Sequence, residues 1–223
     1  MNYTFVVLGI LLVFILFILY KVFTEKKTQL ESSSTLSSTI HNYTNLKEPG
    51  SQKYYIAIWL YVTNIVSGDQ CVYRVSESSS GSEVIGLYLN SGSLKYKSAS
   101  GTITIMDDQF PLQRWTHVIL SVDNGLVDSY VDGKLVTSNK ITISTTTANS
   151  VLQESGGISP PTITAEIAGF ERVPETMTPA KAWTKYMSGN GGNAFTRFLK
   201  TWGISLVLTK DDVDQKTLSF PPV

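Results

Sequence analysis

In this chain of 223 residues, the carboxylate side chains are the groups that could take part in catalysis or metal binding. The aspartates considered are the pair Asp107 and Asp108, the single residues Asp123, Asp128 and Asp132, and the group Asp211, Asp212 and Asp214. Glycoside hydrolysis by paired carboxylates needs an acid and a nucleophile or base on either side of one bond. Most of these aspartates fall in expected turns, where a carboxylate is normally solvated or hydrogen-bonds the turn. The pattern therefore predicts that the protein is not an enzyme.

Histidine and cysteine are too few to build a zinc site. The chain holds two histidines, His41 and His117, and one cysteine, Cys71. Structural zinc takes four ligands that are mainly of these types, so no complete set is present. Cys71 lies in an alternating stretch, which predicts a buried strand thiol rather than a reactive one. The Gly-rich run at 188–192 lacks the Lys-Ser/Thr ending of a phosphate-binding loop. We therefore predict no cofactor.

An uncharged apolar segment at the N-terminus predicts a membrane anchor. Asn2–Tyr20 carries no charged side chain, and its 19 residues are close to the roughly 20 that a helix needs to cross the hydrocarbon core. A cleaved signal peptide would need a basic start and a small-x-small cleavage site, and neither occurs. We assign residues 1–22 as one transmembrane helix. Its characteristic residues are Phe5, Leu8, Leu12, Ile15, Leu19, Tyr20 and Lys21.

The charges beside this segment predict its orientation. Lys21, Lys26 and Lys27 follow it, whereas nothing before it carries a charged side chain. Cytoplasmic flanks are enriched in Lys and Arg, so we expect a single-pass protein with its C-terminal domain on the cytoplasmic side. A single cysteine agrees with a reducing compartment. Residues 23–50 are rich in Ser and Thr and are predicted to be a linker between the anchor and the domain.

The remaining residues, 51–223, alternate in the manner of a β-sandwich domain. Both the odd and the even positions of Tyr55–Val62 are largely apolar, which is typical of a strand with two buried faces. Shorter segments of this kind recur between turn signals such as Asn90-Ser91-Gly92 and Asp132-Gly133. The predicted strands cover 55–63, 70–75, 84–89, 93–98, 102–105, 116–123, 126–131, 134–137 and 162–170. Many short strands with regular turns indicate an antiparallel sandwich.

Two neighbouring strands resemble a known family. Arg114–Val122 reads RWTHVILSV, and Val127–Val136 reads VDSYVDGKLV. A Trp-x-His-Val strand followed by a strand that ends in Tyr-Val-Asp-Gly is similar to the laminin G-like branch of the concanavalin A-like superfamily. The residues of this signature are Trp115, His117, Tyr130, Asp132 and Gly133.

The resemblance implies an all-β fold, a two-sheet antiparallel jelly-roll sandwich. A short helical C-terminal extension follows it, because Thr178 suits an N-cap and Pro179 the first position of a helix that continues to Tyr186. Trp183 and Trp202 are expected to hold this extension on the sandwich. Trp59 and Trp115 lie in strand centres and are expected to be core residues.

The resemblance also implies what a site could contain. Glucanases of the superfamily carry two glutamates and an aspartate on one strand, and no Glu-x-Asp-x-x-Glu run occurs in this chain. Laminin G-like domains can hold Ca²⁺ at the rim of a sheet, for which Asp107, Asp108 and Asp123 are the candidates. His117 is expected to pack beside Trp115 or to hydrogen-bond within the sheet.

The C-terminal segment resembles a narrower group. The runs WTKYMSGNGG at 183–192 and WGISLVLTKDD at 202–212 are similar to the tails of laminin G-like proteins from large icosahedral DNA viruses such as chloroviruses. This implies a virion protein that lies between the inner membrane and the capsid. Its partners would be the lipid bilayer and neighbouring major and minor capsid proteins. The expected function is that of a non-enzymatic minor capsid component tethering or cementing the shell to the membrane.

A lectin-like function is compatible with the same fold. A carbohydrate-binding or adhesion module predicts exposed aromatic side chains with Asp or Asn beside them. It also needs the domain outside the cell, contrary to the orientation predicted above. Nucleic acid is not expected as a partner of either kind of protein, because 18 basic and 18 acidic residues leave no net charge.

Overall fold

The computed structural model describes residues 11–13, 29–36, 41–64, 66–79, 81–154, 163–190, 205–210 and 213–219. Within these ranges no helix has both the length and the apolar character needed to cross a membrane. The predicted anchor lies outside them except for its residues 11–13, which include Leu12. Trp202 also lies outside the described residues.

Strands make up most of the described residues. In chain order they are β1 (Gln29–Thr35), β2 (His41–Tyr43), β3 (Lys53–Val62), β4 (Gln70–Ser76), β5 (Glu83–Asn90), β6 (Ser93–Ser98), β7 (Gly101–Met106), β8 (Trp115–Asp123), β9 (Leu126–Val131), β10 (Lys134–Lys140), β11 (Val151–Glu154), β12 (Ala165–Val173), β13 (Ser205–Lys210) and β14 (Val213–Ser219). A helix, α1 (Pro179–Met187), follows β12. The predicted strands and the predicted helix all have counterparts among these elements.

The strands form two antiparallel six-stranded sheets. Sheet A has the order β1-β12-β3-β8-β9-β10, and sheet B has the order β2-β11-β4-β5-β6-β7. Among the described strands, β13 and β14 pair with each other as a two-stranded sheet. The fold is therefore the all-β two-sheet sandwich with a short C-terminal helix that the sequence predicts.

The main core lies between the two sheets and follows from strand alternation. The even-numbered side chains of β3, from Tyr54 to Val62, belong to this core and are almost completely buried. Val118, Leu120 and Val122 of the adjacent β8 face the same way. Burying one aliphatic side chain of this size stabilises the fold by about 1.5–3 kcal/mol. Successive side chains point to opposite faces, so the odd-numbered residues of β3 lie on the outer face of sheet A.

The α1 helix covers part of that outer face. Thr178 caps it, since its Oγ1 accepts a hydrogen bond from the Lys181 backbone N–H at 3.3 Å, and Pro179 opens the first turn. Ala182 is fully buried against the sheet. The second, smaller apolar cluster under the helix contains Tyr55, Ala57, Ile119, Tyr130, Met177 and Ala182. The helix therefore explains why both faces of β3 are apolar in the sequence.

Residues 29–36 and 41–50, which lie within the segment predicted to be a linker (23–50), contribute to the sandwich. β1 pairs with β12 at the edge of sheet A, and β2 pairs with β11 at the edge of sheet B. Leu36 and Leu46 enter the main core. Strand pairing uses backbone groups, so a segment rich in Ser and Thr can supply an edge strand.

Candidate functional site

One end of the sandwich brings together several loops that carry aromatic and polar residues. β3 ends there at Val62, and β8 begins there at Trp115. The loops are tied to each other by backbone hydrogen bonds from Gln113 N to Val62 O at 2.8 Å and from Phe110 N to Gly92 O at 2.9 Å. We term this region, residues 63–64, 66–69, 91–92, 107–115, 132–133 and 163–164 with the adjoining strand termini, the loop end.

An aromatic pair marks the loop end on the outer face of sheet A. Tyr61 and Trp115 lie directly opposite each other on β3 and β8, with ring centroids 5.5 Å apart and ring planes tilted by 50°. Both side chains are partly exposed. Aromatic neighbours at this separation attract each other beyond the burial of their surfaces. The strand backbones therefore hold a partly open aromatic surface in a fixed position.

Charged side chains flank this aromatic pair. Arg114 Nη2 contacts Asp132 Oδ2 at 2.5 Å, and Asp132 Oδ1 accepts a hydrogen bond from the His117 backbone N–H at 2.9 Å. Asp132 is therefore fixed by two neighbours, while the Arg114 side chain remains 60% exposed and keeps N–H donors toward solvent. On the other side, the exposed Glu166 of β12 lies opposite Tyr61.

A small depression opens at the same end of the sandwich. Its enclosed space is about that of one water molecule, and it is open toward solvent. Four aliphatic residues and four polar or small residues form its lining, which are Val62, Val66, Leu89 and Ile163, and Asn64, Asn90, Ser91 and Gly92. A concave apolar surface with a few polar groups at its edge is the usual composition of a ligand site.

His117 is buried in a stack of rings beneath the helix. Its imidazole lies 4.7 Å from the Trp59 ring with an interplanar angle of 22°, and Tyr186 of α1 stacks on Trp59 at 5.6 Å. Within the described part of the chain the Nδ1 atom has no hydrogen-bond partner. Burial, with a smaller contribution from the positive charge of Lys185, lowers the pKa of His117 to about 3. The imidazole is therefore neutral at neutral pH. It packs on Trp59, which differs from the two expected arrangements, packing beside Trp115 or a hydrogen bond within the sheet.

The three aspartates predicted as calcium candidates do not form one site. Asp107 lies at the loop end and accepts a hydrogen bond from Ser93 Oγ at 2.9 Å, and the Asp108 backbone N–H donates to the same hydroxyl. Asp123 ends β8 at the opposite end of the sandwich, where Lys53 lies 3.2 Å away. Among the described residues no group of three or more His, Cys, Asp or Glu is arranged to hold a metal ion.

The burial of the tryptophans differs from expectation, because α1 covers only part of the outer face of sheet A. Trp59 is buried, as expected, but between sheet A and α1 rather than between the two sheets. Trp115 is half-buried at the first residue of β8, where the helix does not cover it. Trp183 stays 46% exposed, so Tyr186 and Ala182 rather than Trp183 provide the buried contacts of the helix.

Two further residues named in the sequence analysis, Tyr130 and Cys71, lie at least partly buried within the fold. Tyr130 is buried under the segment that leads into the helix, and its hydroxyl donates to the Met177 carbonyl at 3.3 Å. Cys71 is partly buried in β4, its Sγ lies 3.5 Å from the Tyr73 carbonyl, and burial raises its pKa to about 12. A thiol with so high a pKa stays protonated and is a poor nucleophile.

The outer face of sheet B is polar, but its groups pair with one another. Gln153 is the centre of one network, because its Oε1 accepts from Arg74 Nε at 2.7 Å and from Ser76 Oγ at 2.5 Å, while its Nε2 donates to Asn42 Oδ1 at 2.8 Å. Arg74, Ser76 and Gln153 are all at least 95% buried. These side chains stabilise the sheet, and the loop end offers the more accessible combination of aromatic and polar groups.

The residues of the depression were not singled out from the sequence. Asn64 and Asn90 stand at strand ends, where Asn is common simply because it suits turns. Tyr61 had a visible signal, since it occupies the last outward-facing position of an apolar strand. Only the packing of the two sheets brings these three residues to one end of the molecule.

A family model described as the concanavalin A-like lectin/glucanases superfamily matches residues 33–168 of the chain. The match includes the Trp115 and Asp132 signature and most of both sheets. No curated protein matches the chain in sequence.

Solved structures with similar folds include a sialidase and a domain bound to a sialic acid. A Trypanosoma rangeli sialidase superimposes with a TM-score of 0.52 at 14% identity, over 61% of this chain and 22% of that one. The ligand-binding domain of botulinum neurotoxin serotype D, in complex with N-acetylneuraminic acid, gives a TM-score of 0.55 at 13% identity, over 74% of this chain and 44% of that one. The chain spans less than half the length of either structure. Identities this low show a shared fold alone.

Proposed function

Because the chain belongs to the concanavalin A-like lectin/glucanases superfamily, we propose that it is a lectin-like module that binds carbohydrate at its loop end. The observation that carries the proposal is the partly exposed Tyr61–Trp115 pair, which the β3–β8 register holds beside charged side chains. The botulinum neurotoxin domain with a similar fold is bound to N-acetylneuraminic acid, which supports carbohydrate as the ligand class.

The chemistry of the loop end suits a sugar. One face of a pyranose ring presents mainly C–H groups, while hydroxyl groups surround its edge. The C–H face can leave water by packing on an aromatic ring, and polar side chains beside the ring can bind the hydroxyl groups. Tyr61 and Trp115 supply the rings. Arg114 and Glu166 supply an exposed donor and an exposed acceptor at their edges.

The proposal is for binding without hydrolysis. Asp132 lies at the same end of sheet A as Trp115, and it is already engaged by Arg114 and by the His117 N–H. A carboxylate that already holds two donors is less free to act on a bound sugar. A non-enzymatic role therefore remains part of the proposal.

Anchorage of this module in a membrane by residues 1–22 is also proposed, with residues from 23 onward leading into the sandwich. Carbohydrate binding favours a domain on the outer or lumenal side, whereas Lys21, Lys26 and Lys27 predict the cytoplasmic side. The minor capsid function and the virion location stay predictions that rest on the C-terminal resemblance. The carbohydrate-binding alternative has the better support.

Replacing Trp115 by alanine tests the proposed site. The full-length chain is purified in a detergent without a sugar head group and applied to a glycan array. We expect specific binding, and a loss of about tenfold or more in affinity with Trp115→Ala, because a buried aromatic contact typically contributes about 1–2 kcal/mol.

The matched control is Leu126→Ala, which removes a 43% exposed side chain at the opposite end of the sandwich and should leave affinity unchanged. Thermal unfolding of both variants checks that the fold is intact. Glycan binding that is equally strong in Trp115→Ala and in the unsubstituted chain would place the site elsewhere.

A further inference from the structure

The depression at the loop end has an apolar floor. Val62, Leu89 and Ile163 are buried at its base, and Val66 from the loop after β3 forms a further wall. An enclosed space of this size suits a methyl-sized substituent rather than a whole sugar ring. A methyl group placed there would exchange water for aliphatic contacts, which is favourable in proportion to the apolar area that it loses to solvent.

Two amide side chains at the rim have their orientations set by neighbouring groups. Asn64 Oδ1 accepts a hydrogen bond from the Thr164 backbone N–H at 2.9 Å. Asn90 Nδ2 donates to Asp69 Oδ1 at 2.7 Å. Among the described residues, Asn64 Nδ2 and Asn90 Oδ1 have no partner, so the rim offers one directed donor and one directed acceptor.

An acetamido group has the complementary set of atoms. It carries a methyl group, one carbonyl acceptor and one N–H donor. We propose that the depression binds the acetamido group of an N-acetylated amino sugar, an inference that rests on the carbohydrate-binding function proposed above. The methyl group packs on Val62, Val66 and Leu89. The carbonyl accepts from Asn64 Nδ2, and the N–H donates to Asn90 Oδ1.

The depression and the aromatic pair can serve one ligand. Val62 directly follows Tyr61 in β3, and successive strand residues point to opposite faces. The Gln113 N–H that bonds Val62 O at 2.8 Å belongs to the loop that leads into Trp115. A ring stacked on the Tyr61–Trp115 pair and a substituent in the depression therefore meet around the end of a single strand.

Matched sugar pairs and an isosteric substitution test the inference. The full-length chain is titrated calorimetrically with N-acetylglucosamine and glucose, with N-acetylgalactosamine and galactose, and with the 6-deoxy sugar fucose. We expect the N-acetylated member of at least one pair to bind about tenfold more tightly than its parent sugar, as the two hydrogen bonds of the acetamido group and one buried methyl group imply.

Asn64→Asp should abolish this preference. The substitution replaces the Nδ2 donor by an oxygen, yet it keeps an acceptor for the Thr164 N–H. Asn149→Asp adds the same charge in an exposed loop at the opposite end of the sandwich and should keep the preference. Val66→Phe, which fills the depression, should abolish the preference by a second route.

Three outcomes would overturn the inference. A preference for the N-acetylated sugar that survives in both Asn64→Asp and Val66→Phe, while Trp115→Ala abolishes binding, refutes the acetamido site and leaves the carbohydrate-binding function intact. Tighter binding of fucose than of every N-acetylated sugar assigns the depression to a bare methyl group. Binding of none of these sugars or of any glycan on the array removes both the inference and the proposed function.

Discussion

At the scale of single residues, His117 shows how packing alone can decide a protonation state. Its ring is 1% exposed and stacks on Trp59, and the backbone of the same residue is held by Asp132. The nearest positive charge that acts on it is Lys185, which pairs with Glu171 at 2.6 Å. A charged imidazole would lose its hydration in this position, so folding stabilises the neutral form.

The depressed pKa of His117 predicts a loss of stability in acid. Between about pH 6.5 and pH 3 the unfolded chain binds a proton at this residue that the folded chain does not. The contribution is therefore complete above about pH 6.5 and declines as the pH falls toward 3, with a limiting slope of about 1.4 kcal/mol per pH unit. The free energy of unfolding falls between pH 7 and pH 5, and we expect this fall to be about 1–2 kcal/mol smaller in His117→Phe than in the unsubstituted chain.

Urea unfolding at the two pH values measures this difference. Burial raises the pKa of Glu154, which therefore titrates in the opposite sense, but it does so in both proteins and cancels in the comparison. Phenylalanine keeps a flat ring against Trp59, so the variant should fold. Identical pH dependence in the two proteins would show that His117 is accessible to protons in the folded state.

At the scale of elements, the β9–β10 turn is shaped to receive the helix. Asp132 and Gly133 both adopt positive φ, at 48° and 76°, as a tight two-residue hairpin requires. A Cβ atom on Gly133 would lie 2.9 Å from Tyr186 Cβ and 3.1 Å from the Trp183 Cα. The Asp-Gly pair therefore serves two purposes, because it turns the chain and lets α1 approach the sheet.

A pair of glycine substitutions separates these two purposes. Gly133→Ala should destabilise the fold by about 1 kcal/mol through the positive φ and by about 1–3 kcal/mol more through overpacking against the helix. Gly68→Ala provides the control, since Gly68 also has positive φ, at 85°, but no atom lies within 4 Å of the position of its Cβ. It should show only the first loss.

Chemical denaturation with tryptophan fluorescence as the signal measures both variants, because Trp59 and Trp183 report on the helix contact. Equal losses of stability in the two variants would mean that the helix does not rest on the turn.

At the scale of the whole molecule, Arg172 ties the chain segment that enters the sandwich to sheet A. Its guanidinium donates to the carbonyls of Lys47 at 2.9 Å and Pro49 at 3.3 Å, and it lies 4.6 Å from the Tyr54 ring. The residue is only 2% exposed. A planar group with five donors suits several carbonyls and an aromatic face at once. Arg172 thereby fixes residues 47–49 against strands that lie far away in sequence.

Replacing Arg172 by methionine should therefore cost about 2–4 kcal/mol, because it leaves buried carbonyls without donors while keeping much of the side-chain volume. The loop should also open to trypsin at Lys47. Limited proteolysis followed by mass spectrometry and urea unfolding provide the two measurements.

Arg114→Met is the matched control, since Arg114 is 60% exposed and its ion pair with Asp132 should contribute less than about 1 kcal/mol. A stability loss for Arg172→Met no larger than for Arg114→Met would show that the carbonyl contacts are not what holds the segment.

The elements that carry local signals could be predicted from the sequence. The alternation of Tyr55–Val62, the Asp132-Gly133 turn and the cap formed by Thr178 and Pro179 each depend on residues a few positions apart. Alternation, turn conformation and capping are properties of short chain segments, so a single sequence contains them. These signals determined the sandwich class, the hairpin and the helix.

The candidate site and the edges of the sheets required the tertiary structure. β1 comes from a Ser- and Thr-rich segment and joins β12 more than a hundred residues later. Asn64 and Asn90 both line one depression, whereas Asp107 and Asp123 lie at opposite ends of the sandwich. Such placements depend on which strands pair and on how one sheet packs on another. These contacts join residues far apart in the chain. They depend on backbone hydrogen bonds and on the fit between two sheets, which leave no local pattern in the order of the side chains.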